Sequence, residues 1–137
     1  MRLDAHQHFW RYSASEYGWI DERMRRIRRD FLPADLEPEL RRAGLDGCLA
    51  VQARSSPAET EFLLELARAN PFVKGVVGWT DLCASEFERE LERLAREPRL
   101  RGLRHVVQDE PDERFLLRAD FRRGVRALAR HGLVYEI

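Results

Sequence analysis

Residues 4–8 of the chain read Asp-Ala-His-Gln-His and complete a short β-type run that begins at Arg2. Side chains two residues apart in an extended segment project to the same side. His6 and His8 can therefore present two imidazole nitrogens to one point, which is a chelating arrangement for a divalent ion such as zinc. The fold predicted for the rest of the chain decides whether this pair lies at a functional strand end.

After this motif, short β-type runs alternate with longer segments of helical periodicity. A polar and aromatic segment at 9–32 comes first. Helices are then predicted at 33–43, 57–69, 85–97 and 120–131, and strands at 47–53, 73–79, 100–108 and 133–137. The later four strands begin about 26 to 33 residues apart, the repeat expected of βα units in a parallel sheet.

The helix boundaries carry local signals. Ser56 with Glu59, and Ser85 with Glu88, have the spacing of a capping box at a helix N-terminus. Gly44 is placed to end the first helix in a left-handed conformation. These signals support helices that start and stop between the predicted strands.

Five strands with intervening helices fit two architectures. An open doubly wound sheet would be complete at this length, whereas a (β/α)₈ TIM barrel needs about 250 residues. The chain ends inside a predicted strand, and no glycine-rich phosphate loop follows the first strand. We therefore expect an α/β fold of the (β/α)₈ TIM-barrel type, with residues 1–137 forming the first five strands and the N-terminal part of a single barrel domain.

Composition excludes several classes of function. The 137 residues are 44% hydrophobic and 35% charged, with a formal net charge of zero. Neither disorder nor nucleic-acid or membrane binding is indicated. No run approaches the ~20 apolar residues of a membrane span, and no apolar signal-peptide region is present. Cys48 and Cys83 lack metal-ligand spacing, so we expect a cytoplasmic protein in a reducing compartment.

Polar and aromatic side chains near the strand ends are candidates for one pocket. Alternation along the fourth strand puts Arg104 and Gln108 on one face and His105 on the other, and leaves open which face points inward. Arg104 and His105 fit a structural hydrogen-bond network as well as a binding site. Trp10 follows the histidine pair closely enough to wall a sugar-sized pocket, and the alternative for the aromatic segment, near Trp19, is to pack over the outside of the barrel.

Several runs together resemble a known family. They are LDAHQHFWRY at 3–12, LAVQA at 49–53, VVGWTDL at 76–82 and LRGLRHVVQDEP at 100–111. In this order they are similar to the amidohydrolase-related family that includes L-fuconolactonase-like and L-rhamnonolactonase-like enzymes, and the RHVVQDEP run is the most specific to that branch. The resemblance implies a (β/α)₈ hydrolase that opens a cyclic ester, often of a sugar acid.

The resemblance also implies roles for individual residues. His6 and His8 match the family's first-strand pair, as metal ligands or as groups that polarise the substrate directly, and are the expected catalytic and metal-binding residues. Arg104, His105 and Gln108 match the family's fourth-strand signature and are expected to bind substrate. Trp10 and Gln52 are expected to join them because of their positions after the first strand and at the end of the second. The implied cofactor is a divalent metal, with zinc favoured. The implied partner is a small sugar lactone, with no nucleic acid or membrane and with a homo-oligomer left open.

The resemblance is incomplete, and alternatives follow from that. The family's later functional positions, including the aspartate that accepts a proton from the attacking water, have no counterpart in these 137 residues, so the chain alone is expected to be weak or inert. A decarboxylase or another hydrolase of the same superfamily is one alternative, and it predicts a different product. A non-catalytic half-barrel completed by association is the other, and it predicts an oligomer.

Overall fold

The computed structural model describes residues 1–108 and 110–137 and confirms the predicted alternation of strands and helices. The strands are β1 Leu3–Gln7, β2 Gly47–Val51, β3 Val73–Gly78, β4 Leu100–Arg104 and β5 Val134–Glu136. The helices are α1 Pro33–Arg42, α2 Pro57–Ala69, α3 Phe87–Leu94 and α4 Ala119–Ala129, with 3₁₀ turns at Glu22–Ile27 and Phe115–Leu117. No helix in this described part of the chain is long and apolar enough to cross a bilayer.

The sheet has the strand order of a barrel wall. All four strand pairs are parallel, and the order is β1-β2-β3-β4-β5, so strands consecutive in sequence are neighbours in space. A doubly wound open sheet would instead reverse its strand order at a switch point. The five strands therefore form half of a (β/α)₈ barrel, as predicted.

The apolar core lies between the sheet and the helices. Cys48, Val76 and Leu103 from the strands are fully buried, as are Leu63 and Leu91 from the helices. Fully burying a leucine side chain contributes about 1.5–3 kcal/mol, so this layer is the main source of stability in the half-barrel.

The segment between β1 and α1 forms a second, smaller core. Its two ends are joined by an antiparallel bridge between Trp10 and Phe31. Tyr17 and Ile20 are buried with Trp10 in a cluster separate from the main core. This packing folds the long segment back over the end of the sheet that carries the histidine pair.

The observed strand and helix ends lie within three residues of the predicted ones, except at the end of β4. β4 ends at Arg104 and not at Gln108, because its partner β5 supplies only three residues and their pairing stops at Arg104. Gly44 follows α1 with a φ of 66°, as predicted. Both predicted capping boxes are wrong, since Ser56 caps α2 without a side-chain hydrogen bond and α3 begins at Phe87.

Candidate active site

The two histidines of β1 converge at the carboxyl-terminal edge of the sheet. Their Nε2 atoms lie 3.2 Å apart, and the rings meet edge to face at an interplanar angle of 85°. Two nitrogens bound tetrahedrally to one zinc at ~2.0–2.1 Å lie about 3.3 Å from each other. The spacing of His6 and His8 therefore fits a shared divalent ion.

The other ring nitrogen of each imidazole lies against an oxygen from a distant strand. His8 Nδ1 lies 2.9 Å from the Val51 carbonyl oxygen, and His6 Nδ1 lies 2.6 Å from Glu136 Oε1. Because the Val51 carbonyl is an acceptor, His8 Nδ1 carries the hydrogen, and the neutral His8 ring has its lone pair on Nε2. The contact between His6 and Glu136 is close but lacks hydrogen-bond geometry. Burial lowers the pKa of His8, which favours the neutral, ligating form.

Arg104 lies beside this pair and is held by groups from two other strands. Its Nη1 donates to the Gln52 carbonyl oxygen at 3.2 Å, and its Nε lies 3.9 Å from Glu136 Oε1. The Gln52 side chain in turn donates to the Arg104 carbonyl oxygen at 3.4 Å. Gln52 is fully buried, and its Oε1 accepts no hydrogen bond from the described residues. Gln52 thus fixes the backbone that carries the guanidinium, and the predicted contact between Gln52 and substrate stays a prediction.

An open cavity of about 330 Å³ adjoins the histidine pair. It is lined by His8, Trp19, Ala53, Arg54, Ser55, Arg104 and Val106. Ligand pockets range over ~300–1,000 Å³, so this volume suits a small molecule. The cavity combines one aromatic wall with cationic and imidazole donors, which is a suitable environment for a ligand rich in oxygen atoms.

His105 lies on the other face of the sheet from Arg104, as strand alternation predicts. Its Nδ1 accepts a hydrogen bond from Trp79 Nε1 at 3.1 Å, so its Nε2 carries the hydrogen and lies 2.6 Å from Glu110 Oε1. Its ring stacks on Phe115 with centroids 4.7 Å apart. These contacts hold the segment after β4, and the predicted role of His105 in substrate binding gains no support from them.

Two other predicted binding residues lie away from the cavity wall. Trp10 is 7% exposed, and its indole donates to the Arg29 carbonyl oxygen at 2.8 Å within the small aromatic core. Gln108 is exposed in the segment after β4. Their roles as substrate contacts stay predictions, and Trp19 is the tryptophan that lines the cavity.

Three residues of this site were not predicted from the sequence. Glu136 was recognisable only as a charged residue inside the otherwise apolar run LVYEI. Arg54 belongs to no recognisable motif. Trp19 lies in a segment for which the sequence allowed packing over the outside of the barrel, because that segment has no periodicity that indicates a face.

The imidazole nitrogens of His6 and His8 are suitable metal ligands, but they are only two in number. Among residues 1–108 and 110–137, no three His, Cys, Asp or Glu side chains group in a way that could hold an ion. The described residues therefore offer two imidazole ligands, and the hydrogen bond to Val51 fixes the tautomer of His8. The Glu136 carboxylate lies 2.6 Å from Nδ1 of His6, and a carboxylate beside the second nitrogen of a ligating histidine is common at zinc sites.

Comparison with known proteins finds consistent similarity over the whole chain. A sequence model of the amidohydrolase family matches residues 3–137. The chain is 46% identical over 140 residues to an L-fucono-1,5-lactonase of Burkholderia multivorans, covering 100% of the chain and 46% of that protein. It is 36% identical over 135 residues to an L-fucono-1,5-lactonase of Burkholderia ambifaria, covering 98% and 47% respectively.

A solved structure shares the fold. A crystal structure of an amidohydrolase from Burkholderia multivorans with bound zinc superposes with a TM-score of 0.93 at 46% identity, covering 100% of this chain and 48% of that one. The chain thus spans about half the length of the relatives that it matches.

Proposed function

The chain belongs to the amidohydrolase family, and on that premise we propose that the protein opens the lactone ring of a sugar acid with an activated water molecule. The observation that carries the proposal is the convergence of His6 and His8, with their Nε2 atoms 3.2 Å apart, beside a cavity that also contains Arg104. The lactone is proposed because both relatives are named L-fucono-1,5-lactonases.

His6 and His8 would hold a divalent ion, and the zinc in the related crystal structure makes zinc the candidate. When bound, such an ion supplies Lewis-acid chemistry, polarising a carbonyl and lowering the pKa of a water molecule. The chain's own contribution is to hold the two imidazoles in one orientation. The Val51 carbonyl oxygen accepts a hydrogen bond from His8 Nδ1, and the Glu136 carboxylate lies 2.6 Å from His6 Nδ1.

Arg104 would orient the ester group. The reaction joins a water oxygen to the lactone carbonyl carbon and breaks the ring C–O bond, whose oxygen leaves as a hydroxyl. The product carries a carboxylate, and at neutral pH one proton is released. A guanidinium held by Gln52 and Glu136 can donate to the developing oxyanion and then to the carboxylate, and such charge-assisted hydrogen bonds are stronger than neutral ones.

The cytoplasm is the compartment that we propose for this reaction. Cys48 and Cys83 are both free thiols, which is the usual state in a reducing compartment. Burial raises the pKa of Cys48 to about 11, so its thiol stays protonated and unreactive.

The test is acid release by the purified full-length protein. A pH indicator would follow hydrolysis of L-fucono-1,5-lactone in the wild type, in His6→Ala and in His8→Ala, with Glu88→Gln as a control because Glu88 lies on an exposed helix face and pairs with Arg130. We expect the histidine variants to lose 10²-fold or more in kcat/KM, as when other catalytic groups are removed. Wild-type protein that releases no acid from sugar lactones, or releases carbon dioxide from a carboxylate instead, would contradict the proposal.

A further inference from the structure

We propose that Trp19 is the platform on which the sugar ring of the substrate stacks, and that it helps to set substrate specificity. This inference rests on the proposed function and deepens it. It assigns a ligand contact to a residue outside the strand-end motifs. The evidence lies in the exposure of Trp19, in the way its segment is anchored, and in the side chains that share its cavity.

Trp19 is exposed in a way that its neighbours are not. Its side chain is 43% exposed, whereas Tyr17 and Ile20 on either side are 2% and 3% exposed. Of the large hydrophobic side chains that residues 1–108 and 110–137 expose, Trp19 is the single aromatic one. Its indole and that of Trp10 meet at an interplanar angle of 84° with ring centroids 6.2 Å apart, and the Trp19 indole also borders the cavity beside His8. An exposed indole at a pocket indicates a contact that a ligand completes.

The segment that carries Trp19 is held rigidly against the end of β2. Arg54 Nη1 lies 2.7 Å from Glu16 Oε1, and the Arg54 guanidinium lies over the Tyr17 ring at 5.3 Å from its centroid. Both contacts are within three residues of Trp19. Arg54 thus joins the aromatic segment to the loop that follows β2, and it lines the same cavity.

Glu59 extends this support into the core. Its fully buried carboxylate accepts hydrogen bonds from the backbone N–H groups of Ala53 at 3.0 Å and Arg54 at 2.8 Å. Its Oε2 also lies 3.7 Å from Arg54 Nε. The chain of contacts from α2 through Arg54 to the aromatic segment orders Trp19 before a ligand arrives, so little entropy is lost on binding.

The cavity presents complementary chemistry around this platform. Trp19 offers a π face, while His8 and Arg104 offer polar and charged groups in the same cavity. A sugar ring has a face of polarised C–H bonds, which an aromatic face attracts, and a rim of oxygens, which guanidinium donors bind. A sugar lactone stacked on Trp19 would direct its ester oxygens to the imidazole and guanidinium side of the cavity.

The experiment compares Trp19→Ala, Trp19→Phe and Leu117→Ala in the full-length protein. Leu117 is 67% exposed and does not line the cavity, so its truncation is a matched loss of exposed apolar surface. For L-fucono-1,5-lactone we expect Trp19→Ala to raise KM roughly 3- to 10-fold, the range of one aromatic contact, with kcat nearly unchanged. Trp19→Phe should restore most of the affinity, and Leu117→Ala should match the wild type.

A second measurement reports binding without turnover. The product acid L-fuconate is added to each protein, and tryptophan fluorescence is followed. We expect a saturable change in the wild type that disappears in Trp19→Phe, although Trp10 and Trp79 remain. If the wild type opens the lactone and Trp19→Ala keeps its KM within twofold, the platform is overturned and the proposed function stands. If the wild type opens no sugar lactone, the proposed function fails, and the platform is overturned as well unless L-fuconate still gives a Trp19-dependent signal.

Discussion

Replacing Glu136 by glutamine should weaken zinc binding although Glu136 is not itself a ligand. Its carboxylate lies 2.6 Å from His6 Nδ1 and 3.9 Å from Arg104 Nε. The carboxylate therefore offsets positive charge near the ion and limits the movement of the His6 ring. Glu136→Gln keeps the size of the side chain and an oxygen acceptor but removes the negative charge from both contacts.

The expected magnitude follows from the type of contact. Loss of a carboxylate behind a metal-ligating histidine typically costs 10- to 100-fold in metal affinity, or ~1.4–2.8 kcal/mol. Because glutamine keeps an oxygen atom beside Nδ1, we expect a loss of metal affinity near tenfold. The Arg104 guanidinium would then lack its carboxylate partner and would repel the bound cation, which lowers the metal affinity further.

The assay is a zinc titration of the metal-free full-length protein against a chromophoric chelator. Glu88→Gln is the matched control, because it removes the same charge from an exposed ion pair in which Glu88 Oε2 lies 3.1 Å from an Arg130 guanidinium nitrogen. We expect the control to bind zinc like the wild type and His8→Ala to lose most of the affinity. Equal zinc affinity in Glu136→Gln and the wild type, with His8→Ala impaired, would refute the role given to Glu136.

Three further predictions concern stability. Gly124→Ala should lower the free energy of unfolding by ~1–3 kcal/mol despite better helix propensity, because the new Cβ would lie 2.4 Å from the Leu82 carbonyl oxygen. Gly18→Ala is the control, because no atom lies within 4 Å of its new Cβ, and it should change the free energy of unfolding by less than about 0.5 kcal/mol. Equal urea midpoints for Gly124→Ala and Gly18→Ala would contradict this reasoning. Leu91→Ala, at a fully buried position between the sheet and α4, should cost ~2–5 kcal/mol in the same measurement, and a loss below ~1 kcal/mol would show that the layer is loosely packed. Burial raises the pKa of Glu59 from 4.5 to about 7, so the folded state binds its proton more tightly than the unfolded state and this group's contribution to stability grows as pH falls through 7. Between pH 8 and pH 5.5 the wild type should gain ~2 kcal/mol relative to Glu59→Gln, and parallel pH profiles of the two proteins would contradict the assignment.

The local sequence pattern predicted which strands and helices are present, but it did not predict how the helices are capped. The β/α alternation is confirmed because each strand and helix buries its own apolar face, a property of nearby residues. The capping box predicted for α2 is absent because Glu59 binds backbone groups of a different segment. The Glu59 side chain has the spacing to cap α2, but the buried N–H groups of Ala53 and Arg54 also need an acceptor, and that need arises only after β2 and α2 have packed.

The parallel βα repeat and the pairing of His6 with His8 follow from local pattern, because periodicity and a two-residue spacing on a strand act over a few residues. Which residues support that pair depends on tertiary packing. Glu136 reaches His6 from the opposite end of the chain, Trp19 enters the cavity wall, and His105 turns to the helix layer. These placements depend on how distant segments close on one another, and that closure is set by the packing of the whole sheet and its helices.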